Sequence, residues 1–366
     1  MSARPAPACG IVIAARAGHY VRVISAVDSA LVTFRLADPE HELSGARLRQ
    51  DAGVTGALDF RQDAHGWELT VSRPPVARME YLLELRRADG STELAPDPAN
   101  PLRVEGAFGQ KSVLRLPGYC EPAWLSAPAE PGVSRDAELP ARSLGAAISV
   151  RTWAPAGTRD DEPLPLLVVH DGPEYDALAS LTSYLAAGVL GGWLPRLRAA
   201  LVAPGPRDRW YSANPNYARA LRNTVIPAVA RQVATTARVG MGASLGALAM
   251  LHAHCRYPGA FDALFLQSGS FFTASHDSQE RRFAQYRRIV AFVASVHDGG
   301  LPRRAVPVTL TCGAVEENLA DNRLMTRTLQ AHGYRAVLHE LPDAHNYTAW
   351  RDAFDPYLTR LLGGLG

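Results

Sequence analysis

Hydrophobic and polar positions follow different patterns in the two parts of the chain. Up to about residue 116, short runs of strand length are apolar or alternate with polar residues, and Gly, Asp and Pro separate them. These runs are 20–25, 31–36, 67–71 and 79–85. Short strands with turns at such intervals are typical of an antiparallel sandwich, so we predict an immunoglobulin-like β-sandwich over residues 1–116.

From residue 145 onwards, strand-like runs alternate with helical ones. The predicted strands are 146–153, 164–170, 199–202, 236–240, 264–266, 306–311 and 335–340, and the predicted helices are 178–190, 217–233, 282–296, 322–331 and 348–362. This alternation predicts a mostly parallel sheet covered by helices on both faces, in a domain spanning 145–366. The segment 117–144 is rich in Pro, Ala and Gly and is interpreted as a linker and approach strand.

Composition narrows the class of protein. The chain is 47% hydrophobic and 20% charged, which is typical of a globular protein. Its length of 366 residues suggests two domains, or one large domain with an appendage. The net charge of +2 gives no electrostatic case for binding nucleic acid or an anionic membrane. No stretch approaches the ~20 apolar residues of a membrane span.

Targeting and cysteine signals are weak. The N-terminal residues contain no apolar core long enough for a signal peptide. The four cysteines form no C-x-x-C pair, so we expect no metal site and no disulfide. A reducing cytoplasm is the expected location. Composition leaves the oligomeric state open.

The pattern Gly242-Ala243-Ser244-Leu245-Gly246 is a G-x-S-x-G motif between a predicted strand and a predicted helix. Such a turn holds the serine in a strained conformation and lifts its hydroxyl clear of the sheet. A Cβ at either flanking glycine is expected to collide with the neighbouring strand or helix. Ser244 is therefore a candidate nucleophile.

A nucleophilic serine needs a base and an orienting acid, which follow later in the chain in hydrolases with this turn. His345 lies between the last predicted strand and the last helix. Glu316 follows the strand before, with Glu317 and Asp321 as alternatives on the same loop. Because active groups of an open α/β sheet collect at the carboxyl ends of its strands, these residues are candidates for base and acid. The other histidines after Ser244 are expected to be packing or surface residues.

An oxyanion hole needs backbone N–H donors from two places. One donor is expected from Leu245, which directly follows the nucleophile. The other is expected from the turn after the strand at 164–170, where Pro173 has no N–H. The candidates there are Gly172, Glu174 and Tyr175.

Several motifs in this order resemble the esterase D and enterochelin-esterase branch of the α/β-hydrolases. They are Val169-His-Asp-Gly172, Gly240-Met-Gly-Ala-Ser-Leu-Gly-Ala247, Cys312-Gly-Ala-Val-Glu316 and His345-Asn-Tyr-Thr-Ala-Trp-Arg351. The turn Tyr257-Pro-Gly-Ala-Phe261 and Gln267-Ser-Gly-Ser270 are also similar to this family. In the N-terminal part, Tyr81, Asp89-Gly90 and Asp97-Pro-Ala-Asn-Pro101 resemble the β-sandwich appended to enterochelin esterases.

The resemblance implies an α/β-hydrolase fold and a serine esterase with a Ser-His-Glu triad, an acyl-enzyme intermediate and no cofactor or metal. It suggests a small-molecule ester substrate, an iron-siderophore ester, with Arg207 and Arg209 as candidates for binding its negative charge. The sequence departs from the family near the site, with Trp210 where Glu is expected and Asn346 where Asp is expected.

Three other interpretations remain open. An acyltransferase would use the same triad, as in related mycolyltransferases. A feruloyl or acetyl esterase of carbohydrate esters would differ only in the loops that shape specificity, notably 208–218 and 271–281. A binding protein that uses the α/β part as a scaffold would need no triad at all.

Overall fold

The structure is a computed structural model that describes residues 30–64 and 66–365. The predicted strand at 20–25 lies outside the described residues. The chain forms two compact units. The first comprises residues 30–121 together with two later segments, Ala314–Glu316 and Pro342–Ala344, and the second comprises the rest.

The first unit consists of two antiparallel sheets, and the predicted strands at 31–36, 67–71 and 79–85 are confirmed. Its strands are β1 (Leu31–Leu36), β2 (Leu43–Gln50), β3 (Arg61–Asp63), β4 (Gly66–Ser72), β5 (Arg78–Arg87), β6 (Thr92–Ala95), β7 (Arg103–Gly106) and β8 (Gly109–Arg115). One sheet has the order β1-β4-β3 and the other β2-β5-β8-β7, with β6 paired to β5. Every second residue of β1 is buried, and Val32 and Phe34 join Leu48, Leu69 and Tyr81 in one core.

Three of the motif residues of the first unit, Tyr81, Asp97 and Asn100, form a buried hydrogen-bond network. The Tyr81 hydroxyl donates to the Asp97 carboxylate at 2.7 Å. The Asn100 amide donates to the Tyr81 oxygen at 3.0 Å and to the Val113 carbonyl at 2.8 Å. Each polar group thus has a partner, as buried polar groups require.

The second unit contains a mixed sheet of eight strands. These are β9 (Val133–Ala141), β10 (Ala146–Ala154), β11 (Leu164–His170), β12 (Arg198–Val202), β13 (Thr235–Ala243), β14 (Ala263–Gln267), β15 (Pro307–Gly313) and β16 (Arg335–Leu341). Their order is β16-β15-β14-β13-β11-β12-β10-β9. Strand β10 is antiparallel to both neighbours, and the strands from β11 onwards are parallel. Strand β9 occupies part of the segment interpreted as linker and approach strand.

Helices connect the parallel strands. They are α1 (Gly172–Ala179), α2 (Leu181–Leu190), α3 (Arg207–Tyr211), α4 (Pro215–Ala220), α5 (Ile226–Gln232), α6 (Leu245–Arg256), α7 (Tyr286–His297), α8 (Leu319–Ala331), α9 (Tyr347–Asp352) and α10 (Thr359–Gly363). Short 3₁₀ turns lie at Ala123–Ser126 and Ser278–Arg282, and π turns at Leu221–Val225 and Phe354–Leu358. In the described part of the chain, no helix combines the length and apolar character needed to cross a membrane.

Three predicted helices are interrupted. The helix expected at 348–362 divides into α9 and α10 with a π turn between them, where Asp355 has a non-helical φ of −106° and ψ of 122°. The helix expected at 178–190 breaks at Ser180, which has a φ of 52°. The helix expected at 217–233 contains a π turn directly before α5, whose first turn includes Pro227. Proline has no N–H to donate to the preceding turn, so the regular hydrogen-bond ladder cannot continue through it.

The core lies on both faces of the sheet. Along β11, Leu166 and Val168 face one cluster, and Leu167 and Val169 face the other. This pattern is typical of a parallel strand that is covered on both sides. Helix α6 is buried from Leu245 to His254, so its first turn is held firmly against the sheet.

Candidate active site

Three neighbouring strands of the sheet end in a strained residue. Asp171 follows β11, Ser244 follows β13 and Ser268 follows β14, with φ values of 51°, 56° and 48°. Such conformations are costly for residues with a Cβ, and they concentrate at functional sites. Because these strands are neighbours and parallel, the three residues lie at the same edge of the sheet. Sequence analysis identifies only Ser244 of the three as a functional candidate.

The turn at Ser244 joins β13 to α6, and its φ and ψ are 56° and −123°. A Cβ on Gly242 would lie 2.6 Å from the backbone carbon of Gly246, so only glycine fits there. A Cβ on Gly246 would lie 3.2 Å from an Asp171 carboxylate oxygen, which is tight but less severe. The Ser244 N–H donates to the Gln267 carbonyl at 2.9 Å, which ties the turn to β14.

Ser270 is a neighbour of Ser244 that sequence reasoning missed as a site residue. The two Oγ atoms are 3.1 Å apart, and the Ser270 N–H donates to the Ser244 carbonyl at 3.2 Å. Ser270 is buried. The motif Gln267-Ser-Gly-Ser270 could have indicated it, since this motif ends the strand that pairs with β13.

The turn after β11 becomes the first turn of α1. Asp171 is its N-cap residue in the left-handed region, and a Cβ on Gly172 would lie 2.3 Å from the Leu201 Cα. The Tyr175 N–H donates to the Asp171 carbonyl at 2.8 Å, so this N–H closes the helix and is not available to a ligand. The N–H groups of Gly172 and Glu174 belong to the part of a helix that lacks intrahelical acceptors.

Arg207 links the α1 turn to the turn at Ser244. Its Nε and Nη2 donate to the two carboxylate oxygens of the buried Asp171, both at 2.9 Å. Nη2 also donates to the Ala243 carbonyl at 3.3 Å. Burial by itself lowers the pKa of Arg207, but the hydrogen bonds and charge of Asp171 outweigh it and raise that pKa. Arg207 therefore binds protein groups, whereas Arg209, on the same short helix, is exposed.

His345 lies between β16 and α9 and is exposed. Its ring meets the edge of Trp350, with ring centroids 5.0 Å apart. The Trp350 indole N–H donates to Ser268 Oγ at 2.9 Å, and the Trp350 carbonyl accepts a hydrogen bond from the Gln267 amide at 3.0 Å. Since the Gln267 carbonyl accepts from Ser244, these contacts connect the His345 loop to the turn at Ser244.

The three candidate acids occupy different environments. Glu316 is half-buried, and Glu317 is exposed. Asp321 is buried on α8, and its Oδ1 accepts hydrogen bonds from His276 Nδ1 at 2.7 Å and from Thr273 Oγ1 at 3.1 Å. The carboxylate of Asp321 is therefore committed to the loop that follows β14.

The other histidines have structural surroundings, as expected. His170 is buried, its Nδ1 donates to the Gly246 carbonyl at 3.0 Å, and burial lowers its pKa to about 4. Burial likewise lowers the pKa of His252 and His254 to about 4. His339 stacks on Tyr357, and His332 is exposed.

An acidic side chain of the loop after β14 lies beside Asp321 of α8. Asp277 is buried beside Asp321, and its Oδ2 accepts the Thr273 N–H at 2.7 Å. Burial, together with the hydrogen bond and negative charge of Asp321, raises the pKa of Asp277 to about 6. The folded protein therefore binds a proton at Asp277 more tightly than the unfolded chain does.

Comparisons with known proteins give one family match and several proteins of similar fold. Residues 141–361 match the family model Esterase, described as "Putative esterase". The ferric enterobactin esterase of Salmonella typhimurium has a similar structure, with a TM-score of 0.75 at 18% identity over 92% of this chain and 94% of that chain. An enterobactin esterase from Shigella flexneri, solved in the presence of enterobactin, gives a TM-score of 0.73 at 17% identity over 92% of both chains.

A ferulic acid esterase is also similar, with a TM-score of 0.50 at 13% identity over 64% of this chain and 97% of that chain. None of the curated proteins matches the sequence. At these identities the structural matches show the fold of the chain, which includes the predicted sheet flanked by helices.

We predict that Asp277→Asn stabilises the protein at pH 8 but not at pH 4. The pKa of Asp277 is higher in the folded protein than in the unfolded chain, so the protonated carboxyl stabilises the fold. This stabilisation is fully present below pH ~4 and is lost as the pH rises through about 6. An amide cannot ionise, so it avoids this loss. Thermal unfolding at the two pH values should show a rise of about 2–4 °C at pH 8, which corresponds to ~1 kcal/mol after solvent screening.

The control for this prediction is Asp298→Asn, which removes the same charge from an exposed position at the end of α7. Asp298→Asn should leave the difference in melting temperature between pH 4 and pH 8 unchanged. If the Asp277→Asn variant and the unmodified protein have the same melting temperature at pH 8, the pKa of Asp277 is not raised by folding.

Proposed function

This chain belongs to the esterase family, and from that premise we propose that it is a serine carboxylic-ester hydrolase with Ser244 as nucleophile, His345 as base and Glu316 as acid. The observation that carries the proposal is the turn at Ser244. Its positive φ, directly between β13 and the buried helix α6, fits a nucleophile presented at the edge of a parallel sheet.

The reaction proceeds through an acyl-enzyme. His345 accepts the proton of the Ser244 hydroxyl as its Oγ attacks the ester carbonyl carbon, and it then donates that proton to the departing alkoxide. Water attacks the acyl-enzyme with His345 as base again, which releases the acid and restores Ser244. Ser270 Oγ, 3.1 Å from Ser244 Oγ, is suited to hold the hydroxyl in place before attack.

The tetrahedral oxyanion is stabilised by backbone N–H groups of Leu245 and of the α1 turn, namely Gly172 or Glu174. Loss of one such donor typically costs about 10²–10³ in kcat. Arg207 supports this arrangement because it bonds Asp171 before one donor turn and the Ala243 carbonyl before the other. Preorganised donors need no rearrangement when the charge develops.

Glu316 is preferred among the three candidate acids because of the surroundings of the other two. Asp321 already accepts hydrogen bonds from His276 and Thr273, and Glu317 is exposed. A half-buried carboxylate is shielded from water and therefore interacts more strongly with a developing imidazolium charge. Glu316 is therefore proposed to orient the His345 ring and to stabilise its charged form.

We propose a siderophore ester of the enterobactin type as the substrate. The structural matches to enterobactin esterases extend over 92% of the chain, whereas the ferulic acid esterase match extends over 64%. The larger coverage includes the first unit, which we interpret as the immunoglobulin-like sandwich of such enzymes. Arg209 is exposed and close in sequence to Arg207, so it is suited to meet an anionic substrate.

A feruloyl ester is the second candidate, because the ferulic acid esterase match covers 97% of that shorter enzyme. Transfer of the acyl group to an alcohol instead of water would use the same residues. Product analysis with enterobactin, feruloyl and acetyl esters, with and without an alcohol acceptor, distinguishes these outcomes. Preference for a feruloyl ester, or transfer to the alcohol in place of hydrolysis, would contradict the proposed substrate or reaction.

Ser244→Ala should lower kcat for p-nitrophenyl acetate by at least about 10⁴-fold, since the nucleophile is removed. The variant should also lose covalent labelling by a fluorophosphonate. Ser295→Ala, at an exposed position on α7, is the matched control and should keep both properties. Turnover or labelling that persists in the Ser244→Ala variant would exclude Ser244 as nucleophile.

Glu316→Gln should lower kcat by about 10³–10⁴-fold, the range expected when a triad acid becomes an amide. Glu317→Gln is the matched control, because it makes the same change at the next position in an exposed side chain. Steady-state kinetics on one ester measures both. A large loss from Glu317→Gln with little effect of Glu316→Gln would assign the acid to Glu317.

Arg209→Ala should raise KM for an anionic catecholate ester by about two- to fivefold at low salt, as exposed charges contribute up to ~1 kcal/mol. KM for neutral p-nitrophenyl acetate should not change. Arg231→Ala removes the same charge at the end of α5, directly before β13 begins, and serves as control. If both variants raise KM for the anionic ester equally, Arg209 does not bind the substrate.

A further inference from the structure

Arg78 is a charged residue in the core of the first unit. It lies at the start of β5 and is 1% exposed, although arginine is rarely buried to this extent. Transfer of a guanidinium from water to a protein interior costs several kcal/mol unless its charge and donors are matched. The groups around Arg78 should therefore balance its charge and accept its hydrogen bonds.

Two carboxylates match this charge. Nη1 donates to Glu80 Oε1 at 2.9 Å. Nε and Nη2 donate to Asp343 Oδ2 and Oδ1, at 3.1 Å and 3.3 Å, in a two-point contact. Burial alone lowers the pKa of Arg78, but Asp343 and Glu80 outweigh it and raise that pKa, so the guanidinium stays charged.

Asp343 is far from Arg78 in sequence and belongs to the loop that carries His345. This loop is short, since β16 ends at Leu341 and α9 begins at Tyr347. Its first three residues, Pro342–Ala344, belong to the first unit. The Pro342 carbonyl accepts the Ala77 N–H at 2.7 Å, and Asp343 Oδ1 also accepts the Ala344 N–H at 2.7 Å.

The loop after β15 is held in the same unit. Besides Pro342–Ala344, the first unit includes the segment Ala314–Glu316 of this loop. Val315 packs against the hydrophobic core of the unit. Gly53 lies so close that a Cβ there would be 3.2 Å from a Val315 methyl carbon. The first unit therefore contains the residues directly before the proposed base and the proposed acid itself.

We propose that Arg78 is a positioning residue for catalysis: by binding Asp343 at two points, it fixes the backbone two residues before His345 and so holds the base ready to accept the Ser244 proton. The inference rests on the proposed function, because it assigns His345 as base. Small displacements of a catalytic group reduce rates strongly, which explains why a buried ion pair would be kept at this place.

The test uses Arg78→Lys in the full chain. Lysine keeps the charge but cannot form the two-point contact, because its ammonium is a single point charge. We expect kcat for p-nitrophenyl acetate to fall about 10–100-fold with KM within about threefold. Arg86→Met, which removes an arginine from a more exposed position of the same strand, should leave kcat unchanged.

Activity must be expressed per folded molecule. The fraction of folded protein is measured by circular dichroism, and the number of active sites by fluorophosphonate stoichiometry. Asp343→Asn is a second test of the same contact, since it keeps the shape of the side chain and removes the charge that Arg78 binds. The double variant should lose no more kcat than Arg78→Lys alone, because both changes break one contact.

The outcomes separate this inference from the proposed function. If Arg78→Lys and Asp343→Asn keep kcat per folded molecule while Ser244→Ala abolishes it, the positioning role is wrong and the esterase mechanism stands. If their losses of kcat add fully in the double variant, the two residues do not act through one contact, and the role is also overturned. If Ser244→Ala keeps its activity, the proposed function itself fails.

Discussion

The close approach of two backbones at Gly242 and Gly246 is the constraint on which the rest of the candidate site depends. With no Cβ at Gly242, the chain leaves β13, passes through the positive φ of Ser244 and enters α6 within one residue. Helix α6 is buried along most of its length, so this turn cannot relax by moving the helix. The cost of the strained turn is met by packing and hydrogen bonds elsewhere, which is the usual way that a protein maintains such a conformation.

The ion pair of Arg207 and Asp171 connects the turn at Ser244 to a second turn of the candidate site. It joins the turn before α1 to the end of β13, two places that supply backbone donors in the proposed oxyanion hole. A planar guanidinium suits this task better than an ammonium, since its donors are fixed in a fork that matches a carboxylate. The charge of Arg207 is therefore used inside the protein, and we propose that Arg209 meets an anionic substrate instead.

Arg78 and Asp343 repeat this arrangement in the first unit. In both pairs an arginine makes a two-point contact with a buried aspartate beside a turn that carries a proposed functional group. Buried ion pairs are weak contributors to net stability, because desolvation offsets their attraction. Their geometry is nevertheless specific, and this gives them a use in holding a loop in one position.

The sequence alone determined the strand and helix pattern, the turn at Ser244, and the candidates Glu316 and His345, because hydrophobic period and glycine spacing are local properties of the chain. Only the tertiary structure decided that Ser270 lies beside Ser244, that Asp321 is bound to His276, and that Arg78 meets Asp343 across 265 residues of sequence. The reason is physical. Which side chains meet depends on the order of strands in a sheet and on loops held by distant partners, and neither is encoded in the spacing of residues along the chain.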